Sequence, residues 1–136
     1  MYRNIILLVL VFLTLVGCQS EQSMPGSDQS EEITEVQVSN FEELGSMNED
    51  FKQSFSEKDE IELFRTAIEE AKQQEESSIT TYDYDIKLTL QGGGNKGIHL
   101  KKNDDDEIIM KYIGDSTKTY IVNRENSKDL INLVYE

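Results

Sequence analysis

Apolar and polar side chains alternate without a break from Tyr82 to Leu90, with Tyr82, Tyr84, Ile86, Leu88 and Leu90 separated by Asp83, Asp85, Lys87 and Thr89. A period of two puts every large apolar group on one face, so the segment predicts a half-buried antiparallel strand. It runs into Gln91-Gly92-Gly93-Gly94-Asn95-Lys96-Gly97, a loop where positive φ is permitted almost everywhere, and a second strand follows over Ile98 to Lys102. Asn103-Asp104-Asp105-Asp106 turns the chain into Glu107 to Ile113, where Ile108, Met110 and Tyr112 share a face. After Gly114-Asp115-Ser116, Thr117 to Asn123 supplies a further strand, with Tyr120 and Val122 opposite Thr119 and Ile121. Consecutive hairpin-linked strands of this kind make a meander. Upstream, Ile33-Thr34-Glu35-Val36-Gln37-Val38 also alternates and predicts a first strand.

A different period governs the segment between them. Ile61, Phe64, Ala67, Ile68 and Ala71 fall on one face of a helix predicted from about Glu57 to Gln74, while Glu62, Arg65, Glu69, Lys72 and Gln73 face the other way. Ser56 is positioned as its N-cap, with Glu57, Asp59 and Glu60 set favourably against the positive end of the helix dipole. Ser127 is positioned to cap a short final helix whose Leu130, Ile131, Leu133 and Val134 turn back to the domain. Phe41 to Phe55 shows no clear period and predicts an irregular connection, with Phe41, Leu44, Phe51 and Phe55 available to cap the core. An amphipathic helix and a half-apolar sheet each need a partner to hide against. The expected fold is therefore α+β: an antiparallel β-meander sheet with an amphipathic helix and a short C-terminal helix packed on one face.

The start of the chain follows neither pattern. A twelve-residue run from Ile5 to Val16, apolar but for Thr14, comes after Met1-Tyr2-Arg3-Asn4 and ends in Gly17-Cys18, the layout of an export signal. A helix of that length covers about 18 Å, short of the roughly 30 Å hydrocarbon core of a bilayer. Leu15-Val16-Gly17-Cys18 resembles the lipobox of bacterial lipoproteins, which implies a diacylglyceryl group on the sulfur of Cys18 and cleavage just before it. The expected organisation is a signal peptide over residues 1–17, a disordered acidic tether over 18–31 and one domain over 32–136. Two acyl chains hold a protein on a bilayer where one would be marginal. The expected location is the extracytoplasmic face of a bacterial cell membrane.

Charge narrows the partners further. The chain carries a formal net charge of −14, and removal of the leader takes Arg3 with it. Such a body is repelled by nucleic-acid phosphates, so no nucleic-acid partner is expected, and the membrane is engaged through lipidated Cys18 alone. Cys18 is the only cysteine, so its acylation leaves no thiol for a disulfide, a metal or a nucleophile. No cofactor is implied.

The candidate chemistry is thin. Gly92 to Gly97 satisfies G-x-G-x-x-G, but strands are expected on both sides, where a phosphate site needs the glycines to open a helix. Asp104-Asp105-Asp106-Glu107 offers oxygen ligands for calcium without the spaced loop that directs them inward, and a solvated hairpin tip is expected. Asp83 and Asp85 are expected on the polar, outward face of their strand, and His99, the only histidine, as an exposed strand residue. No catalytic residue and no metal ligand is assigned.

Ile33-Thr34-Glu35-Val36-Gln37-Val38-Ser39-Asn40-Phe41, Asn48-Glu49-Asp50-Phe51, Phe55, Phe64-Arg65-Thr66-Ala67-Ile68-Glu69-Glu70-Ala71, Asp83-Tyr84-Asp85 and Thr119-Tyr120, with Ser127 and Leu130, form a set spread from Glu32 to Tyr135. In these residues the chain resembles small lipoproteins of Bacillus-type bacteria, the YhfM-like group. It departs from that pattern at Glu75-Glu76-Ser77-Ser78-Ile79, and at Ile98-His99-Leu100-Lys101, where the group has a tryptophan. The shared residues are apolar framework, so the resemblance implies a lipid-anchored domain and no reaction. A noncatalytic binding module at the envelope is the leading expectation, ahead of a small envelope enzyme or inhibitor and of a calcium-responsive surface protein.

Overall fold

A computed structural model describes residues 32–74, 78–114 and 118–136. Seven strands form one antiparallel sheet: β1 (Ile33–Asn40), β2 (Gln53–Phe55), β3 (Lys72–Gln73), β4 (Tyr84–Leu90), β5 (Asn95–Lys102), β6 (Ile108–Tyr112) and β7 (Tyr120–Ile121). Their order across the sheet is β2-β1-β4-β5-β6-β7-β3, so β4 to β7 are the expected meander. The helices are α1 (Lys58–Glu70) and α2 (Arg124–Val134).

One face of the sheet carries the core. Val36 and Val38 of β1, Ile86 and Leu88 of β4, Ile98 and Leu100 of β5, and Ile108 and Met110 of β6 pack with Phe64, Ala67 and Ile68 of α1 and Leu130 and Val134 of α2. The chain leaves one sheet edge at β2 and rejoins the other at β3, so α1 crosses this face from side to side. Apolar stripes at helical spacing fit a sheet whose alternate positions are apolar, as the α+β expectation required.

Several local expectations are corrected. The first helix stops at Glu70, because Lys72 and Gln73 pair with Ile121 and Tyr120 as an edge strand. Its N-cap is Glu57, which makes no side-chain cap bond, so Ser56 does not cap it. At α2 the cap is Asn123, whose side chain accepts from Asn126 N–H. Ser127 is buried one turn in, where its Oγ accepts from Ile108 N–H at 2.9 Å and donates to Val122 O at 3.0 Å, stitching helix to sheet. The expected connection from Phe41 to Phe55 ends in a short strand, β2, and only Phe55 of its large apolar residues joins the core.

The turn after β4 is tighter than its glycines suggested. Leu90 N–H bonds to Gly94 O and Gly93 N–H to Leu90 O, with φ of +92° at Gly93, so the strands close at Leu90 and Gly94. Positive φ at the last residue of such a loop is what a glycine supplies at little cost. Gly97 then lies inside β5, opposite Lys87.

Candidate functional site

The sheet face turned away from the helices holds an unexpected row of polar residues. Ser39, Asp85 and His99 sit opposite one another on β1, β4 and β5, and all three are buried, with Asp85 and His99 at 0% exposure. Across β6 the next register position is Lys111. The tight turn sets this alignment: a hairpin closing at Leu90 and Gly94 brings Asp85 opposite His99, whereas a slip of one residue would turn one of them to the core.

His99 Nδ1 lies 2.7 Å from Asp85 Oδ1. The second oxygen, Oδ2, accepts from Asn48 N–H at 2.8 Å, and His99 Nε2 accepts from Gly45 N–H at 3.2 Å. Ser39 Oγ donates to Asn48 O at 2.5 Å. A carboxylate only accepts, and Gly45 N–H only donates, so the contacts require a neutral ring carrying its proton on Nδ1. Aromatic groups flank that ring: Tyr82 stacks on it at 5.3 Å between centroids and Phe41 meets it edge-on at 5.1 Å. The Tyr82 hydroxyl is buried and has no hydrogen-bond partner among the described residues, and burial pushes its phenol pKa up.

Two expectations fail here. His99 is not an exposed strand residue, and Asp85 does not face solvent, because residues 41–52 fold over this side of the sheet and spend backbone polar groups on it. Tyr82 precedes β4 and stacks on this side rather than joining Tyr84, Ile86 and Leu88 on the helix side. Met47 completes the cover: a Cβ built on Gly97 would lie 2.5 Å from Met47 Cε and 3.1 Å from Ile113 Cδ1. Asp83 does not join Asp85; its Oδ2 accepts from the Tyr135 hydroxyl at 2.6 Å and from Lys102 N–H at 2.9 Å, fixing the end of the chain. Burial and the carboxylate of Asp83 together hold the Tyr135 phenol well above the usual tyrosine range.

Serine, aspartate and histidine in one row suggest nucleophilic catalysis, but their order is wrong for it. Such a triad needs the imidazole between the hydroxyl and the carboxylate. Here the carboxylate is central, and neighbouring strands lie roughly 4.8 Å apart, so Ser39 and His99 are separated by about 10 Å across the sheet. The ring nitrogen that would act as base already accepts from Gly45. In this closed arrangement the row holds a loop; it presents no base to a substrate.

The remaining candidates are plainly placed. Asn103 Oδ1 accepts from Asp105 N–H and Glu107 N–H at 2.9 Å each, so Asp104 to Asp106 form an exposed hairpin tip, with φ of +58° at Asp106. Among the described residues no group of three acidic, histidine or cysteine side chains is placed to hold a metal ion. Gly92 and Gly93 lie in the turn between β4 and β5 and Asn95 to Gly97 already belong to β5, so the glycine pattern opens no helix. Leu15, Val16, Gly17 and Cys18 lie outside the described residues, and no helix among those described is long and apolar enough to cross a membrane.

No protein-family model matches the chain, and no curated protein sequence does so either. A solved structure is similar: a thioesterase-like protein from Clostridium sporogenes ATCC 15579, with a TM-score of 0.64 at 14% identity, covering 77% of this chain and 95% of that one. At that identity the likeness is one of fold. It agrees with an antiparallel sheet carrying two helices.

Proposed function

We propose that the chain is a lipid-anchored, noncatalytic binding module on the outer face of a bacterial membrane, akin to the YhfM-like lipoproteins. The observation that carries this reading is the lone Cys18 at the end of the apolar run Ile5 to Val16. The polar row supports its noncatalytic part, since Ser39, Asp85 and His99 spend their hydrogen-bonding groups on loop backbone. Metabolic labelling with a palmitate analogue tests the anchor: wild type takes up label and Cys18→Ser does not. Equal labelling of both would overturn it. Crosslinking on intact cells tests the binding role, and the expected product is a discrete envelope component joined to the wild-type chain.

A second reading, hydrolysis of acyl thioesters, is favoured by the name of the similar structure alone. Thiol release from a panel of short- to long-chain acyl-CoA substrates decides between them. Turnover that His99→Gln abolishes would establish an enzyme.

A further inference from the structure

The contacts around His99 carry a consequence beyond binding or anchoring. Phe41 N–H to Asp83 O, Lys52 N–H to Val38 O and Asn48 Nδ2 to Asn40 O pin the loop over residues 41–52 to β1 and to the residue before β4, and three polar grips hold its middle on the buried row; these three differ in what a proton does to them. Ser39 Oγ to Asn48 O and Asn48 N–H to Asp85 Oδ2 leave the imidazole out. Gly45 N–H to His99 Nε2 exists only while that nitrogen has a free lone pair.

We infer that residues 41–52 form a proton-sensitive latch, closed while His99 is neutral and released when His99 Nε2 takes up a proton. A protonated Nε2 would set its own N–H against the Gly45 N–H, two donors with no acceptor between them. The other neighbours of the ring favour the charged form. Asp85 Oδ1 lies 2.7 Å from Nδ1, and the stacked face of Tyr82 offers a cation–π surface. Gly45 is thus the neighbour that must give way, and it can, because it sits in a loop with φ of +89° and no atom within 4 Å of where its Cβ would be. The remaining charges on this side are Lys111, opposite His99 on β6, Lys101 and Lys87, two positions along β5 and β4 from His99 and Asp85, and Glu42, Glu43, Glu49, Asp50 and Lys52 of the loop itself. Carboxylates ordinarily change charge below about pH 5 and lysines above about pH 9, which leaves the single histidine as the side chain to respond between them.

The sign follows from linkage. The open loop binds one proton more than the closed loop, so closure is favoured at high pH and weakened as pH falls. Within the titrating range the open population rises by up to about tenfold per pH unit. Release would withdraw Met47 from Gly97 and uncover Ile113 beside it. The latch works in the same way whether or not the chain carries the lipid proposed above.

Amide hydrogen exchange on the full chain at about pH 7.5 and about pH 5, corrected for the intrinsic pH dependence of exchange, reads the latch directly. The expected result is at least about tenfold less protection at Gly45 and Asn48 at the lower pH, with the amides of β4 and β5 unchanged. Nitrogen chemical shifts of the His99 ring, recorded on the same samples, should report the Nδ1–H tautomer at the higher pH and gain of the second proton over the same interval. In His99→Gln, whether its loop is open or closed, protection of the loop should no longer depend on pH. Constant protection in the wild type would overturn the latch, as would loss of β5 protection in step with the loop, or pH dependence surviving in His99→Gln.

Discussion

Replacing Asp85 by asparagine changes one atom of its carboxylate and puts the hydrogen-bond bookkeeping of the loop to a direct test. Asp85 accepts twice, from the ring of His99 at 2.7 Å and from Asn48 N–H at 2.8 Å, and both side chains are fully buried. Asparagine has one acceptor. If it serves Asn48, its amide must donate to Nδ1, which moves the ring proton to Nε2 and sets it against Gly45 N–H. If it serves the ring, its amide faces Asn48 N–H. Either way one buried donor on the loop is left unmet, at about 1–3 kcal/mol. Asp85→Ala removes both acceptors, leaves two buried donors unmet and should cost about twice as much, about 2–6 kcal/mol. Urea unfolding of the full chain, followed by far-UV circular dichroism, should therefore order the variants wild type, Asn, Ala. For a slope of about 1–2 kcal/mol per molar, the asparagine midpoint should fall by roughly 1–2 M. Equal costs for the two variants, or costs within about 0.5 kcal/mol of wild type for both, would refute the assignment of two obligatory contacts to this carboxylate.

Other perturbations follow from the same geometry. Leu130→Ala removes a fully buried side chain between α2 and the sheet and should cost about 2–5 kcal/mol in the same assay. Ser127→Ala leaves Ile108 N–H without its acceptor and should cost about 1–3 kcal/mol, whereas Ser56→Ala, which removes no cap bond, should change stability by less than about 0.5 kcal/mol. Tyr135 is held un-ionised in the folded chain, first by burial and then by Asp83. Its contribution to stability should be complete below about pH 10, where the unfolded phenol begins to ionise, and be lost progressively above it. Tyr135→Phe should flatten that alkaline loss in a denaturation series.

Much of the architecture is written in local patterns. The alternation from Tyr84 to Leu90 and the stripe Phe64, Ala67, Ile68 are properties of segments a few residues long, and each announces a face that must be buried. The edge strand Lys72-Gln73 is illegible in the sequence because two residues are too short for a period, and it forms only by pairing with Ile121 and Tyr120 across the fold. The polar row was hidden by register. Glycines as far as Gly97 leave the closing point of the hairpin open in the sequence, and it is closure at Leu90 and Gly94 that places Asp85 opposite His99. Nothing local marks Gly45 and Asn48 as the backbone donors that complete the cluster, since they come from a segment without periodicity.

The grips on residues 41–52 fall on main-chain atoms, Gly45 N, Asn48 N and Asn48 O, with the Asn48 amide adding a further bond to Asn40 O. The side chains of Leu44 and Ser46 make none of these bonds to Ser39, Asp85 or His99, while that of Met47 lies against Gly97. Evolution, or a protein engineer, is therefore free to rewrite what this segment displays to the outside while the mount beneath it stays untouched.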